Sequence, residues 1–471
     1  MSLAAPLTIR NLTSTPLELK VIERYDRANP LKKGVEKISH NVTTLGRGHA
    51  KHDENDHNFE SQAPEDVSIR IAPFTIQKTE IACPDHAKET LRLTFEYDGQ
   101  RYRIDTPQKN ESQAFVPLAT DPKRQYVGIF LQQHGHLAIY SSAKLSCWMK
   151  ELKDSTPLSG ISIPGTHNSP TYHRALPSVR CQAVSPREQL DNGVRFFDIR
   201  VQPKYPNDPQ RDTLILVHGV FPISLTGSKT FRSLVTDVEA FLQQSPSETV
   251  IISLKREGTG PATDAQLSTI VHDHYANPEK NKNWYTEPRV PSLGEVRGKI
   301  VIVRRFGLDE RVRADHEGGW GLDAENWADN TADDTHGAVR VQDFYEVLEP
   351  TLIEKKSTYA LEHLARAAEC VVPIPGVTTD VANPVPPGPL FLNFLSASNF
   401  FKIACWPEKV AAKLNPAVVE YLCTQHHAAE TQNGDGSTGV VVCDWVGGSQ
   451  GWDLVKCIVG MNALLERERG S

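Results

Sequence analysis

Two histidines, an arginine and two carboxylates recur in this chain in one local setting, each at the end of a short apolar run. His167 follows Ile161 and Ile163 in SGISIPGTHNS, Asp198 and Arg200 close NGVRFFDIRV, His218 ends LILVHG, and Asp444 follows the valines of GVVVCD. Imidazoles titrate near neutral pH and can take up or release a proton there. A forked guanidinium can hold two oxygens of a phosphate at once. Together they suit displacement at a phosphodiester, which needs a base for the attacking hydroxyl, an acid for the departing oxygen and positive charge on the phosphate.

Such residues must be held by a scaffold. A strand that is apolar throughout and ends in functional groups belongs to a parallel sheet covered on both faces, with ligands beyond the carboxyl ends. After the runs that carry His167, Arg200 and His218 come Thr249–Leu254, Lys299–Arg304, Ala338–Gln342, Leu390–Leu395 and Gly439–Cys443, which makes eight. Between the third and fourth, Phe231, Leu234, Val235, Val238 and Leu242 mark an amphipathic helix over Thr230–Gln244, and further helical patterns cover Leu352–Cys370 and Gly451–Arg467. The alternation predicts a distorted (β/α)8 TIM-type barrel over residues 143–471. Closure of a barrel sets the last strand beside the first, so Asp444 should face His167. A carboxylate there can hold the far imidazole nitrogen and leave the near one free to accept a proton.

PGTHNS, FDIR, the HG after LILV, and PSETVIISLKRE occur in that order. Together they resemble the X-region of phosphatidylinositol-specific phospholipases C, most closely the bacterial type, from about Cys147 to near the C-terminus. The resemblance implies the same barrel. It also implies that His167 removes the proton of the inositol 2-hydroxyl, His218 protonates the departing diacylglycerol, Arg200 clamps the phosphate, and the first product is inositol 1,2-cyclic phosphate. Asp444 is assigned to His167 in the same way, and Lys255, Arg305, Asp343 and Tyr345 to the inositol ring. Arg304 competes with Arg305, because a one-residue slip of a strand exchanges their faces.

One position departs from the bacterial pattern, which has an Asp directly after the first histidine where this chain has Asn168. A neutral amide cannot be the carboxylate that orients His218, which leaves Asp198 as the local candidate. Asn at this position also resembles the calcium-dependent eukaryotic enzymes, where it is a metal ligand. Those enzymes carry acidic side chains at the places matched here by Arg200 and Lys255, and two cations conflict with an ion that wants six to eight oxygens. The expectation is therefore an enzyme with no metal ligands and no cofactor. Two rivals stand beside it: a related barrel phosphodiesterase acting on glycerophosphodiesters or glycosylated inositol lipids, and a catalytically weak phosphoinositide-binding protein.

A chain of 471 residues exceeds what a single core usually serves. Residues 1–142 read as a separate β-sandwich-like accessory domain: apolar and polar side chains alternate in Leu17–Val21, residues 91–105 form a hairpin through Asp98-Gly99, and Tyr126–Leu131 turns through His134-Gly135 into Leu137–Tyr140. His49, His52, Asp53, Asp56 and His57 offer metal-ligand types, but without fixed spacing they read as a solvated loop. A net charge of −7 gives no footprint for nucleic acid. With no apolar run of about 18 residues and no signal-peptide pattern, the chain is expected neither to span a membrane nor to be exported. Eight cysteines without CxxC spacing read as free thiols in a reducing compartment. The expected setting is cytoplasmic, with phosphatidylinositol met peripherally at membranes. Trp320 and Trp327, in a Gly- and Asp-rich loop, are candidates for a mobile interfacial lid, whereas Trp445 and Trp452 are expected to cap the barrel core.

Overall fold

The computed structural model describes residues 5–26, 63–106, 112–370, 388–428 and 434–466, apart from 86, 209, 278 and 280. The polar run with His49, His52 and His57 lies outside them. The chain divides into two compact units, Met1–Ser142 and Ala143–Ser471.

Among the described residues of the first unit, ten strands form two five-stranded sheets. One holds β1 (Pro6–Asn11), β4 (Ile76–Ala82), β7 (Gln113–Ala114), β9 (Tyr126–Leu131) and β10 (His136–Ser141); the other holds β2 (Leu17–Asp26), β3 (Glu65–Ile71), β5 (Glu89–Tyr97), β6 (Gln100–Thr106) and β8 (Val116–Pro117). Alternation buries one face of each. Ile9 and Leu137 from the first sheet join Leu19, Leu93 and Phe95 from the second in one core, as in a β-sandwich. Between β5 and β6, Asp98 and Gly99 both take positive φ, 49° and 72°, the two-residue turn that suits the twist of a hairpin.

The second unit is built on a curled sheet whose strands are apolar because both faces are covered. Seven parallel strands follow one another across it: β17 (Ile300–Arg305), β15 (Val250–Arg256), β12 (Phe196–Pro203), β11 (Ile163–Thr166), β22 (Val440–Cys443), β21 (Leu390–Phe394) and β20 (Val339–Gln342). Two-residue β16 (Trp284–Tyr285) and β18 (Leu322–Asp323) also pair with β17. On the far side β19 (Asp334–His336) lies antiparallel on β20. The sheet is therefore a distorted barrel, and between β17 and β20 it is linked by β18, whose Asp323 carbonyl accepts from Ala338 N at 2.9 Å. The helix expected at Thr230–Gln244 runs Phe231–Gln244, with the Thr230 side chain capping it and the foreseen apolar face buried.

One strand differs from expectation. β13 (Leu214–His218) is not a parallel barrel strand; it lies antiparallel on the overhanging end of β12, with Val201 opposite Leu216 and Pro203 opposite Leu214, and then pairs with β14 (Phe221–Pro222). The reason is length. Only residues 204–213 join β12 to β13, and a parallel crossover needs a dozen or more. The chain turns back instead, and β13 lies off the main path of the sheet with His218 at its end. Among the described residues, no helix is long and apolar enough to cross a membrane.

Candidate active site

β11 and β22 are paired in parallel with Thr166 opposite Cys443, so the next residue of each stands at the same level on the rim. Those residues are His167 and Asp444, and Nδ1 of His167 lies 2.9 Å from Oδ1 of Asp444. With the carboxylate as acceptor, Nδ1 carries the proton and Nε2 keeps its lone pair. Gln182 fixes the junction by donating to the carbonyls of both His167 (2.7 Å) and Cys443 (3.0 Å). Burial raises the proton affinity of Asp444, and the neighbouring imidazole opposes that shift.

Register also assembles the cations. Arg200 of β12 stands beside Lys255 of β15, and Lys255 beside Arg305 of β17. Beneath them lies Asp198, fully buried, which accepts from Arg200 Nη2 at 3.2 Å, Arg305 Nη1 at 3.1 Å and Asn168 N at 3.1 Å. Burial alone would raise its pKa, but Arg200, then Arg305 and His167, hold the carboxyl well below its ordinary range. Arg304 points elsewhere, to Asp323 and Glu325, whereas Arg305 lines the cavity.

Asp198 does not orient His218. Nδ1 of His218 donates to the carbonyl of Val179 at 2.8 Å, with the Cys181 sulfur 3.7 Å away, because the antiparallel entry of β13 brings this histidine against the loop after β11. Asn168 stays on the His167 side, its Nδ2 3.4 Å from Nε2 of that ring. Burial first, then the charges of His167 and Arg200, depress the pKa of His218 to about 4.

Glu257 was missed by motif reasoning. Its Oε1 meets Arg200 Nη1 at 2.7 Å and Lys255 Nζ at 3.5 Å, and its Oε2 accepts from Gly219 N at 2.8 Å, next to His218. A signal was available: two residues after Lys255 on a strand means the same face. Val179 had none, since a loop carbonyl carries no pattern.

A cavity of about 600 Å³ is lined by His167, Arg200, His218, Lys255 and Arg305, with Asp343 and Tyr345 also in its wall. The Tyr345 hydroxyl donates to Asp329 at 3.0 Å. His167, Arg200, His218, Lys255, Arg305, Asp343 and Tyr345 thus line one cavity, and Asp198, Asn168 and Asp444 are hydrogen-bonded to that set. The tryptophan lid does not survive: Trp320 is fully buried against His272, and Trp327 lies flat under the Arg305 guanidinium, 3.8 Å from its carbon, as part of the wall. Trp445 is half-buried beneath Arg180. The exposed apolar residues at the cavity are instead Leu348, Phe400 and Phe401, the last 93% exposed.

Residues 154–306, which carry His167, Asp198, Arg200, His218, Lys255 and Arg305, match the family described as "Phosphatidylinositol-specific phospholipase C, X domain". The second unit carries the X domain of that phospholipase C family. Among curated relatives, 1-phosphatidylinositol phosphodiesterase of Listeria monocytogenes is 30% identical to this X-domain protein over 176 residues, 35% of this chain and 50% of that one. The Staphylococcus aureus (strain Newman) protein of the same name is 26% identical over 318 residues, 64% of this chain and 88% of that one. The chain thus spans half the length of the first relative and most of the second. A solved structure of phosphatidylinositol-specific phospholipase C from Staphylococcus aureus, with pentafluoro-Phe incorporated, superposes with a TM-score of 0.52 at 25% identity, covering 68% of this chain and 97% of that one.

Proposed function

We propose that this protein is a phosphatidylinositol-specific phospholipase C that works without a metal ion and releases diacylglycerol and inositol 1,2-cyclic phosphate. The observation that carries the reading is that His167 and His218, each with its Nδ1 anchored, open onto one cavity together with Arg200. Nε2 of His167 takes the proton of the inositol 2-hydroxyl as that oxygen attacks phosphorus. The new P–O bond closes the cyclic ester, the bond from phosphorus to the glycerol oxygen breaks, and His218 gives that oxygen its proton. Each transfer is worth about 10²–10⁴-fold. At rest His218 is neutral near pH 7, since its pKa is lowered to about 4. A phosphate anion on Arg200 offsets part of the positive field that depresses it, so substrate binding itself favours the protonated acid.

Arg200 supplies the charge that a metal would bring. It is held in place by Asp198 and Glu257, and Lys255 and Arg305 stand beside it. Such a floor repels a hard divalent cation and attracts a phosphodiester. The buried Asp343 and the phenol of Tyr345 offer hydrogen-bonding partners for a polyol. Leu348, Phe400 and Phe401 at the cavity, with exposed Ile403 two residues beyond Phe401, offer an apolar rim suited to a bilayer surface, from which the lipid head group is drawn. Eight free cysteines favour a reducing, cytoplasmic setting. Phosphorus NMR of the water-soluble product made from phosphatidylinositol in the presence of a chelator tests the reading. A five-membered cyclic phosphate supports it. Direct formation of an acyclic ester, or turnover of a lipid lacking the 2-hydroxyl, favours a water-using phosphodiesterase, and binding without turnover a lipid-binding protein.

A further inference from the structure

We propose that His167, Cys181 and His218 form a binding site for a thiophilic divalent cation such as zinc, and that its occupation shuts the enzyme off by engaging both imidazoles. The inhibitory half rests on the reaction proposed above; the site itself does not.

Among the described residues, this is the group of three metal-ligand side chains that converges, with one ligand atom from each lying within 4.8 Å of the others. Bonds of about 2.0–2.1 Å from zinc to nitrogen and about 2.3 Å to sulfur put tetrahedral ligand atoms about 3.6 Å apart, so shifts of about 1 Å close the triangle. The surroundings already resemble those of metal ligands, whose second ring nitrogen donates to a carboxylate or a carbonyl. For His167 this holds, since Nδ1 donates to Asp444; His218 faces the Cys181 sulfur through Nδ1, 3.7 Å away, and binds a metal there by exchanging its bond to the Val179 carbonyl for the ion. Both histidines line the cavity, which gives an ion a route in.

Chemistry selects the ion. Two imidazoles and a thiolate are a soft set that takes zinc or cobalt and discriminates against calcium and magnesium, which want oxygen. The nearby Arg200 opposes any cation, although Asp198 and Glu257 offset part of its charge, so binding rests on the strength of imidazole and thiolate ligation, which a hard cation does not gain. An arriving metal takes the place of the thiol proton. Cys181 has no part in the proposed proton transfers. It stands beside His218 without being needed there, and metal binding gives it a role.

The test uses the whole purified chain under reducing conditions, titrated with Co²⁺. A thiolate-to-cobalt charge-transfer band should saturate at one equivalent in wild type and be missing in Cys181→Ser, which should keep its turnover. Histidines elsewhere, including those at 49, 52 and 57, cannot produce this band because they lack sulfur. Zinc should inhibit wild type, and inhibit Cys181→Ser at least about tenfold less tightly. Cys181→Ala serves as the second variant if the serine disturbs folding. No band in wild type, or an undiminished band in both variants, overturns the site. A band lost on substitution while zinc inhibition stays the same overturns the inhibitory role. A cobalt band in an enzyme that zinc does not inhibit leaves the site standing and counts against His167 and His218 as the catalytic pair.

Discussion

Asp444 and His167 are 277 residues apart in the chain, and their side chains meet at 2.9 Å on the barrel rim. The contact follows from a single register, Thr166 opposite Cys443, and it decides which imidazole nitrogen holds the proton.

Asp444→Asn preserves shape and removes the charge. Its amide can present a donor to Nδ1 and favour the wrong tautomer, so kcat should fall by about 10²–10⁴-fold with KM little changed. Steady-state kinetics on phosphatidylinositol decide this. A raised KM with normal kcat would make Asp444 a binding residue.

His218 should also leave a mark on stability. Its pKa is lowered from 6.5 to about 4 by burial and by the charges of His167 and Arg200, so the unfolded chain binds the proton more readily than the folded one. Its contribution is intact above pH 6.5 and is lost progressively as the pH falls through about 4, on the order of 2 kcal/mol given its partial exposure. Asp198 works in a lower window. Its carboxyl is held below 3.8, so what it contributes is lost only under stronger acid. Urea midpoints measured between pH 7 and pH 4 should drop less in His218→Gln than in wild type. Parallel curves for the two proteins would show that His218 is not kept neutral by its surroundings.

The barrel strands were readable in the sequence because a parallel strand covered on both faces is apolar from end to end, and its polar residues then fall at the rim. Asp444 is placed opposite His167 by that logic together with closure of the barrel, and the resemblance assigns it the same partner. His218 stands at a strand end, as the sequence predicts, but that strand runs antiparallel, because residues 204–213 are too few for a parallel crossover. What holds His218 was hidden, since a carbonyl at Val179 is chemically the same as any other. Trp320 misled because glycines and aspartates around it suggested an open loop, while the ring itself is buried against His272.

Membrane contact should depend on the apolar rim. Phe401→Ser combined with Ile403→Ser removes two exposed side chains without opening the core. Hydrolysis of phosphatidylinositol in vesicles should fall about tenfold or more, and cleavage of soluble inositol cyclic phosphate should be nearly unchanged. Equal losses on both substrates would assign these residues to the pocket.

Activity should persist in EDTA and be unchanged by added Ca²⁺, because Arg200 is built in and Lys255 stands beside it. Assays on one enzyme preparation before and after chelation are sufficient. Loss on chelation with recovery on adding Ca²⁺ would mean that Asn168 and its neighbours hold the ion.

The division of labour between the two histidines is the central claim, and the leaving group tests it. His167→Ala and His218→Ala should each lower kcat on phosphatidylinositol by about 10² or more. On an inositol phosphodiester whose nitrophenolate leaves without needing a proton, His218→Ala should recover most of its rate, whereas His167→Ala should remain impaired. Recovery in His167→Ala instead, or the same loss in both variants on both substrates, would contradict the assignment of His167 as base and His218 as acid.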